Sequence, residues 1–229
     1  MLPLHDNVPT RRPAVVTVGL IAANFLVWFW ELGRSEATVD RYAYYPCSVE
    51  GPCLGPAARH HLPAWEGTFS AMFMHASWVH ILGNMLFLWI FGNNVEDALG
   101  RVRFLLWYLA AGVAATAVQT FVTLHYGGAA AASVPNLGAS GAIAGVLGAY
   151  LLLLPTARVL TLVGFLILPV PAFLFLGVWF LLQVWDGGFG LTHPASGGGV
   201  AFFAHVGGFL FGALTVYLVA RQRPLRRYG

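Results

Sequence analysis

One serine, two histidines and one asparagine stand at positions where an apolar chain has no ordinary use for them. Ser140 lies in Gly138-Ala139-Ser140-Gly141, and His205 in Ala204-His205-Val206-Gly207-Gly208. His80 and Asn84 are four residues apart, hence on one face of a helix. Polar side chains inside apolar spans are costly and tend to serve function. The chemistry these four suggest is acyl transfer. A serine hydroxyl is a poor nucleophile until a base takes its proton, and imidazole suits that task near neutrality. At a helix N-terminus, Ser140 would also face unpaired backbone N–H groups that favour a developing oxyanion. Asn84 offers a side-chain N–H, and His80 a further donor in the right tautomer. No acidic residue accompanies them at this depth, so the pair would be a dyad rather than a triad.

Each element also has a plainer reading. Gly138, Gly141, Gly145 and Gly148 form a small-residue packing face, Gly208 and Gly212 a GxxxG packing signal, and His80 with Asn84 a polar collar. What separates the readings is whether the spans bring these residues to one depth.

The chain has 229 residues, 58% hydrophobic and 9% charged, where soluble domains average roughly 25% charged. The mean hydropathy is +0.71. Twenty-one charged side chains cannot cover a soluble surface of this size, so the composition excludes a cytosolic enzyme or a secreted disulfide scaffold. All twelve basic residues are arginine, and their placement reads as membrane topology rather than a nucleic-acid footprint.

A bilayer core needs ~20 mostly apolar helical residues. Six spans are expected: Ala14–Leu32, Trp78–Val95, Phe104–Leu124, Leu137–Leu154, Val159–Trp185 and Val200–Ala220. The fold class is therefore all-α, a polytopic six-helix bundle spanning 14–220. It is flanked by a segment 1–13 and an arginine-rich tail 221–229, with a long outer loop at about 33–77. Gly187–Gly199 reads as a flexible loop. Nine arginines fall on the side of the termini and three on the other, which puts both termini in the cytoplasm. The second, fourth and sixth spans then all run from the outer face inward. At ~1.5 Å per residue, Asn84, Ser140 and His205 lie about 18, 21 and 24 Å above the inner ends of their spans. They share a depth. The fourth span is also short for a ~30 Å core, so its N-terminus is expected inside the membrane, approached by non-helical backbone around a wet pocket. Cys47 and Cys53 on the outer side leave two possibilities open, a small-loop disulfide or two free thiols.

Three segments resemble a known family. Phe73-Met74-His75-Ala76-Ser77-Trp78-Val79-His80-Ile81-Leu82-Gly83-Asn84-Met85, Gly138-Ala139-Ser140-Gly141 and Ala204-His205-Val206-Gly207-Gly208 are similar, in order and spacing, to the signatures of rhomboid intramembrane serine proteases. The resemblance covers about 69–220. It implies a six-helix rhomboid-like core with Ser140 as nucleophile, His205 as general base, and His80 and Asn84 joining the Ser140 backbone at the oxyanion site. It further implies a structural hydrogen-bonding role for Glu96, a mobile gate formed by the fifth span and the loop around 187–199, and no cofactor. The partners it implies are transmembrane protein substrates in the lipid bilayer, cut near the outer face. The expected location is a cell membrane, that of a bacterial inner membrane. Two features depart from some members: Ala144 stands where an aromatic residue would stack on the histidine, and Trp65 is followed by Glu66 rather than arginine.

Other readings carry less. A catalytically inactive rhomboid-like protein that binds membrane clients would typically lack the serine or the histidine. A transporter would show repeats, and none is visible. A zinc enzyme would need an HExxH motif or an acidic ligand; the chain has neither at the right spacing, so no metal is expected, and His60, His61 and His75 read as loop or interface residues. No nucleic-acid partner is expected, and no motif sets an oligomeric state.

Overall fold

The computed structural model describes residues 1–192 and 201–222. In chain order its elements are β1 (Leu2–Asp6), α1 (Val15–Glu31), α2 (Glu36–Tyr42), a 3₁₀ turn (Pro46–Ser48), α3 (Gly55–Arg59), α4 (Ala64–Ala71) and α5 (Trp78–Leu99). There follow α6 (Arg101–Val122), a π-helical turn (Thr123–Gly127), α7 (Gly128–Ala132), α8 (Ser140–Leu153), β2 (Arg158–Val163), β3 (Leu166–Pro171), α9 (Ala172–Thr192) and α10 (Phe202–Val219). The helices α1, α5, α6, α8, α9 and α10 answer to the six expected spans. Segments 101–132, 172–190 and 202–219 are by themselves long and apolar enough to cross a bilayer, while α1 and α8 are shorter apolar helices. The apolar side chains exposed on the bundle, such as Leu26, Trp89, Leu106, Phe121, Leu181 and Leu218, belong to a surface that faces lipid rather than water.

Local sequence explains the boundaries. Ser77 caps α5, its hydroxyl accepting the N–H of His80 at 3.2 Å. Gly100, with φ +80°, turns the chain between α5 and α6 in a conformation that a side chain would strain. Glu96 binds the other end of the molecule's first span. Its carboxylate accepts the N–H groups of Val16 (3.0 Å) and Thr17 (2.7 Å) and the Thr17 hydroxyl (2.8 Å), so it caps α1 from a neighbouring helix.

The fifth span is a correction. Its first part, expected as helix from Val159, is instead the β2–β3 hairpin, and β1 adds to β2 to make a three-stranded antiparallel sheet, so the fold is not purely helical. The reason lies in Pro169 and Pro171. Both would break a helix, but at period 2 on an edge strand both missing donors face away from β2. The segment 1–13 is built into the fold. Asp6 accepts hydrogen bonds from Tyr150 of α8 (2.6 Å) and Asn94 of α5 (2.8 Å), which ties β1 to the inner end of the bundle. The expected loop Gly187–Gly199 is helical as far as Thr192, and its remainder, with the tail arginines Arg223, Arg226 and Arg227, lies outside the described residues. Cys47 and Cys53 form a disulfide, which closes the small loop of the outer segment.

The core centres on α8, whose residues from Gly141 to Tyr150 are all buried, as a helix surrounded by others requires. Its neighbour α10 packs backbone to backbone. A side chain on Gly208 would strike the Gly141 carbonyl, one on Gly212 the Gly145 carbonyl, and one on Gly148 the Phe209 carbonyl. The first two pairings advance by four residues on both helices, which therefore run parallel, as the six-span topology demands. The approach is one that only glycine allows.

Two outcomes follow from this packing. Gly148→Ala or Gly212→Ala should destabilise the fold by about 1–3 kcal/mol or more, since the obstacle is rigid backbone; thermal unfolding in detergent reads it, and an unchanged midpoint would refute the close approach. Burial holds the Asp6 carboxyl above its usual range. The folded state then binds the proton more tightly than the unfolded chain, so the contribution of Asp6 to stability is present at low pH and lost as pH rises above ~4. Asp6→Asn should gain on the wild type as pH rises through that window, and parallel stability–pH curves would refute it.

Candidate active site

Ser140 is the first residue of α8, and the seven residues before it form a non-helical approach. That approach is stitched to the outer loop: Tyr44 and Asn136 exchange backbone hydrogen bonds (3.0 and 2.7 Å), the Ser133 hydroxyl accepts the Leu54 N–H (2.8 Å), and Gly138 N–H donates to Ala71 (2.8 Å). Fourteen residues make α8 about 21 Å long, short of the ~30 Å apolar core, so the helix cannot cross it alone. The first N–H groups of α8 have no partner within the helix, and no side chain caps them.

The structure brings the serine and the histidine singled out in the sequence together. Ser140 Oγ lies 2.8 Å from His205 Nε2, across the α8–α10 seam. Gly138 serves less as a packing residue than by its backbone. Its φ is +126°, and a Cβ there would collide with the His80 ring, 2.8 Å from Cε1 and Nε2. The glycine thus gives His80 its place beside the approach to Ser140. Asn84 is buried and engaged: its Nδ2 lies 3.0 Å from His75 Nε2, one N–H of the amide remaining for another acceptor. Among the described residues no hydrogen bond joins Asn84 to Ser140 or His205. His75 does lie in a loop, between α4 and α5, but it is buried there rather than at a surface. It is 2% exposed, its ring lies 5.0 Å from that of His80, and its backbone N–H donates to the Glu31 carboxylate at 3.2 Å. His60 and His61 do stay in the loop, each ring bonded to a nearby carbonyl. Among the described residues no group of three potential metal ligands converges.

Two glutamines escape a reading based on serine and histidine. Gln119 of α6 accepts the N–H of Ala204 at 3.1 Å, which fixes the first turn of α10 next to His205. Gln183 of α9 stands behind the imidazole, its Oε1 2.7 Å from His205 Nδ1. Trp179, one turn earlier on α9, places its ring 5.9 Å from the imidazole, in the role left vacant by Ala144. The signal for both glutamines is present in the sequence, as a lone amide in an apolar run. A cavity of about 40 Å³ opens beside Ser140, lined by Met72, Gly112, Ala115, Thr116, Gln119 and Gly141, room for a few waters with polar partners.

A rhomboid domain model matches residues 63–222, more than half of the chain and all three of the segments above. The chain belongs to the rhomboid family. Rhomboid protein 1, mitochondrial, of Saccharomyces cerevisiae is 33% identical over 244 residues, covering 99% of this chain and 62% of its own length. The presenilin-associated rhomboid-like protein A, mitochondrial, of Danio rerio is 39% identical over 101 residues, 44% of this chain and 24% of its own. Rhomboid-like protein 11, chloroplastic, of Arabidopsis thaliana is 38% identical over 87 residues, 38% of this chain and 29% of its own. This rhomboid thus spans less than two thirds of the curated relatives it matches. The bacterial inner membrane expected from the sequence is overturned by these relatives, which are mitochondrial and chloroplastic and point to a eukaryotic organellar membrane.

The geometry of this site yields one structural test. Glu96→Ala strips three hydrogen bonds from the start of α1 and should lower stability by about 1–3 kcal/mol; a detergent unfolding curve that matches the wild type would refute the capping role.

Proposed function

We propose that this rhomboid is an intramembrane serine endopeptidase that cuts transmembrane segments of other membrane proteins near the outer face. The observation that carries the reading is the 2.8 Å contact between Ser140 Oγ and His205 Nε2 at the N-terminus of a sunken helix. In the first step the serine proton passes to Nε2 as Oγ bonds to the scissile carbonyl carbon. The carbonyl oxygen becomes an oxyanion facing the first N–H groups of α8, with the free amide N–H of Asn84 and the ring of His80 as further donors. Collapse breaks the C–N bond, and the leaving amine takes the proton from Nε2. Water then attacks the acyl-enzyme with the same base, regenerating Ser140. The cavity beside Ser140 gives that water a place at a depth where lipid would exclude it. No cofactor or metal is required by this sequence of steps.

A liposome assay with a single-span substrate tests the reading. Cleavage should vanish with Ser140→Ala and with His205→Ala in folded protein, and persist in the presence of a chelator. Asn84→Ala should slow cleavage roughly 10²–10³-fold, the usual loss for one oxyanion donor. A folded wild-type chain that captures the span without cutting it would replace this reading with client binding.

A further inference from the structure

We propose that Gln183 is the positioning residue for His205, and that its place on α9 makes the poise of the base depend on the closure of that helix. The inference rests on the protease reading above. The hydrogen bonds set the tautomer. Gln183 Nε2 donates to the Trp179 carbonyl at 3.4 Å, so its Oε1 is the atom facing His205 Nδ1 at 2.7 Å. An amide oxygen can only accept, hence Nδ1 carries the proton and Nε2 keeps its lone pair toward the Ser140 hydroxyl. The opposite tautomer would leave the Gln183 oxygen without a donor and set an N–H against the serine.

The coupling comes from how α9 is held. Its inner end is anchored: Ala172 N–H donates to Ala157 (2.7 Å) and Phe173 N–H to Pro155 (2.9 Å), while Phe175 packs on Phe87 and Phe91 of α5. Toward the outer end the helix leans on α10 through Phe180, whose ring stacks on Phe209 at 4.5 Å, and presents Leu181, Leu182, Val184 and Trp185 outward. The rings that α9 sets against Phe87 and Phe91 of α5 come from Phe175, near its anchored end. Gln183 lies eleven residues beyond the anchor at Ala172, about 16 Å along the helix. A tilt of roughly 10° about that anchor moves the amide by about 3 Å, as far as the whole hydrogen bond. An outward tilt of that size, such as admission of a substrate helix beside α9 would require, takes the acceptor away from His205, and the base is restored when α9 closes. Entry and chemistry become successive events, with uncut segments free to leave in between.

The experiment is a set of steady-state rates in liposomes, combined with covalent labelling of Ser140 by a fluorophosphonate probe. Gln183→Leu keeps the volume and removes the acceptor; kcat and the labelling rate should fall about 10- to 100-fold with KM within about twofold, less than the ~10⁴ loss where a wrong tautomer is imposed. Gln183→Glu keeps an acceptor oxygen at the same place and should recover most of the loss in kcat, with a lower unfolding midpoint as the cost of the charge. Phe180→Ala, which loosens α9 from α10, should lower both KM and kcat, yet leave kcat unchanged in a Gln183→Leu background, since the bond is already gone. Phe180→Leu serves for the same cycle if the alanine variant does not fold. Wild-type rates in folded Gln183→Leu would overturn the positioning role, and multiplicative effects of the two substitutions on kcat would overturn the coupling. Both failures leave the protease reading intact. A wild type that neither cuts nor labels would instead sink that reading, and this one with it.

Discussion

The near-contact of the α8 and α10 backbones is the constraint on which the rest of the molecule depends. Lipid gives no hydrophobic drive for one helix to seek another, so association must come from close packing and from polar bonds across the seam. Gly141 and Gly145 on one helix meet Gly208 and Gly212 on the other, each pair four residues after the last. This periodic contact fixes the relative height of the two helices. Ser140 immediately precedes the first glycine of one row, and His205 lies three residues before the first of the other. Side chains on a helix lean toward its N-terminus, so the imidazole reaches outward to the hydroxyl. A slip of one turn would move the pair about 5 Å apart. The glycines that hold the bundle together thus also set the geometry of the pair.

Around that seam, polar groups are tied helix to helix rather than to water. On α1, Thr17, Asn24 and Glu31 recur every seven residues and are all buried. Thr17 meets Glu96 at one end of α5, and Glu31 meets the backbone of His75 just before the other. Gln119 links α6 to the start of α10, and Gln183 links α9 to His205. In a medium of low dielectric each such bond is stronger, and each orphaned partner more costly, than it would be in water. The same frame that satisfies these groups restricts the rotamers available to His75, His80 and Asn84. The bonds of His75 to Asn84, of Gln119 to Ala204 and of Gln183 to His205 in this sense preorganise the site.

Much of this arrangement is legible in the sequence. The shared depth of Asn84, Ser140 and His205 follows from span boundaries and helical rise alone, and the Ser140–His205 contact agrees with it. The short fourth span and its non-helical approach follow from the length of an apolar run. Hydropathy misplaces Val159–Pro171 because an apolar hairpin and an apolar helix have the same composition, and the two prolines were the discriminating signal. Neither strand pairing across some 150 residues nor the burial of Asp6 against Tyr150 leaves a periodic mark. His75 was hidden for a different reason: its environment is supplied by Glu31 and Asn84, which are distant in sequence and adjacent only in the fold. Gln183 was visible as an isolated amide, but its partner could be identified only from coordinates.

A neutral group behind the histidine has a consequence for chemistry at this depth. A carboxylate in the place of half-buried Gln183 would stabilise an imidazolium, but it would first have to lose part of its hydration beside exposed Leu181 and Leu182, a penalty for an isolated charge. The amide fixes the tautomer without that penalty. On the proposed reading, the positive charge formed on His205 is then matched chiefly by the oxyanion formed in the same step at the N-terminus of α8. Reactants and transition state carry the same net charge, and the two new charges arise within a few ångströms of each other, where the low dielectric strengthens their attraction. The dyad with an amide behind it is thus a solution suited to a medium that tolerates charge separation over short distances and resists a permanent buried ion.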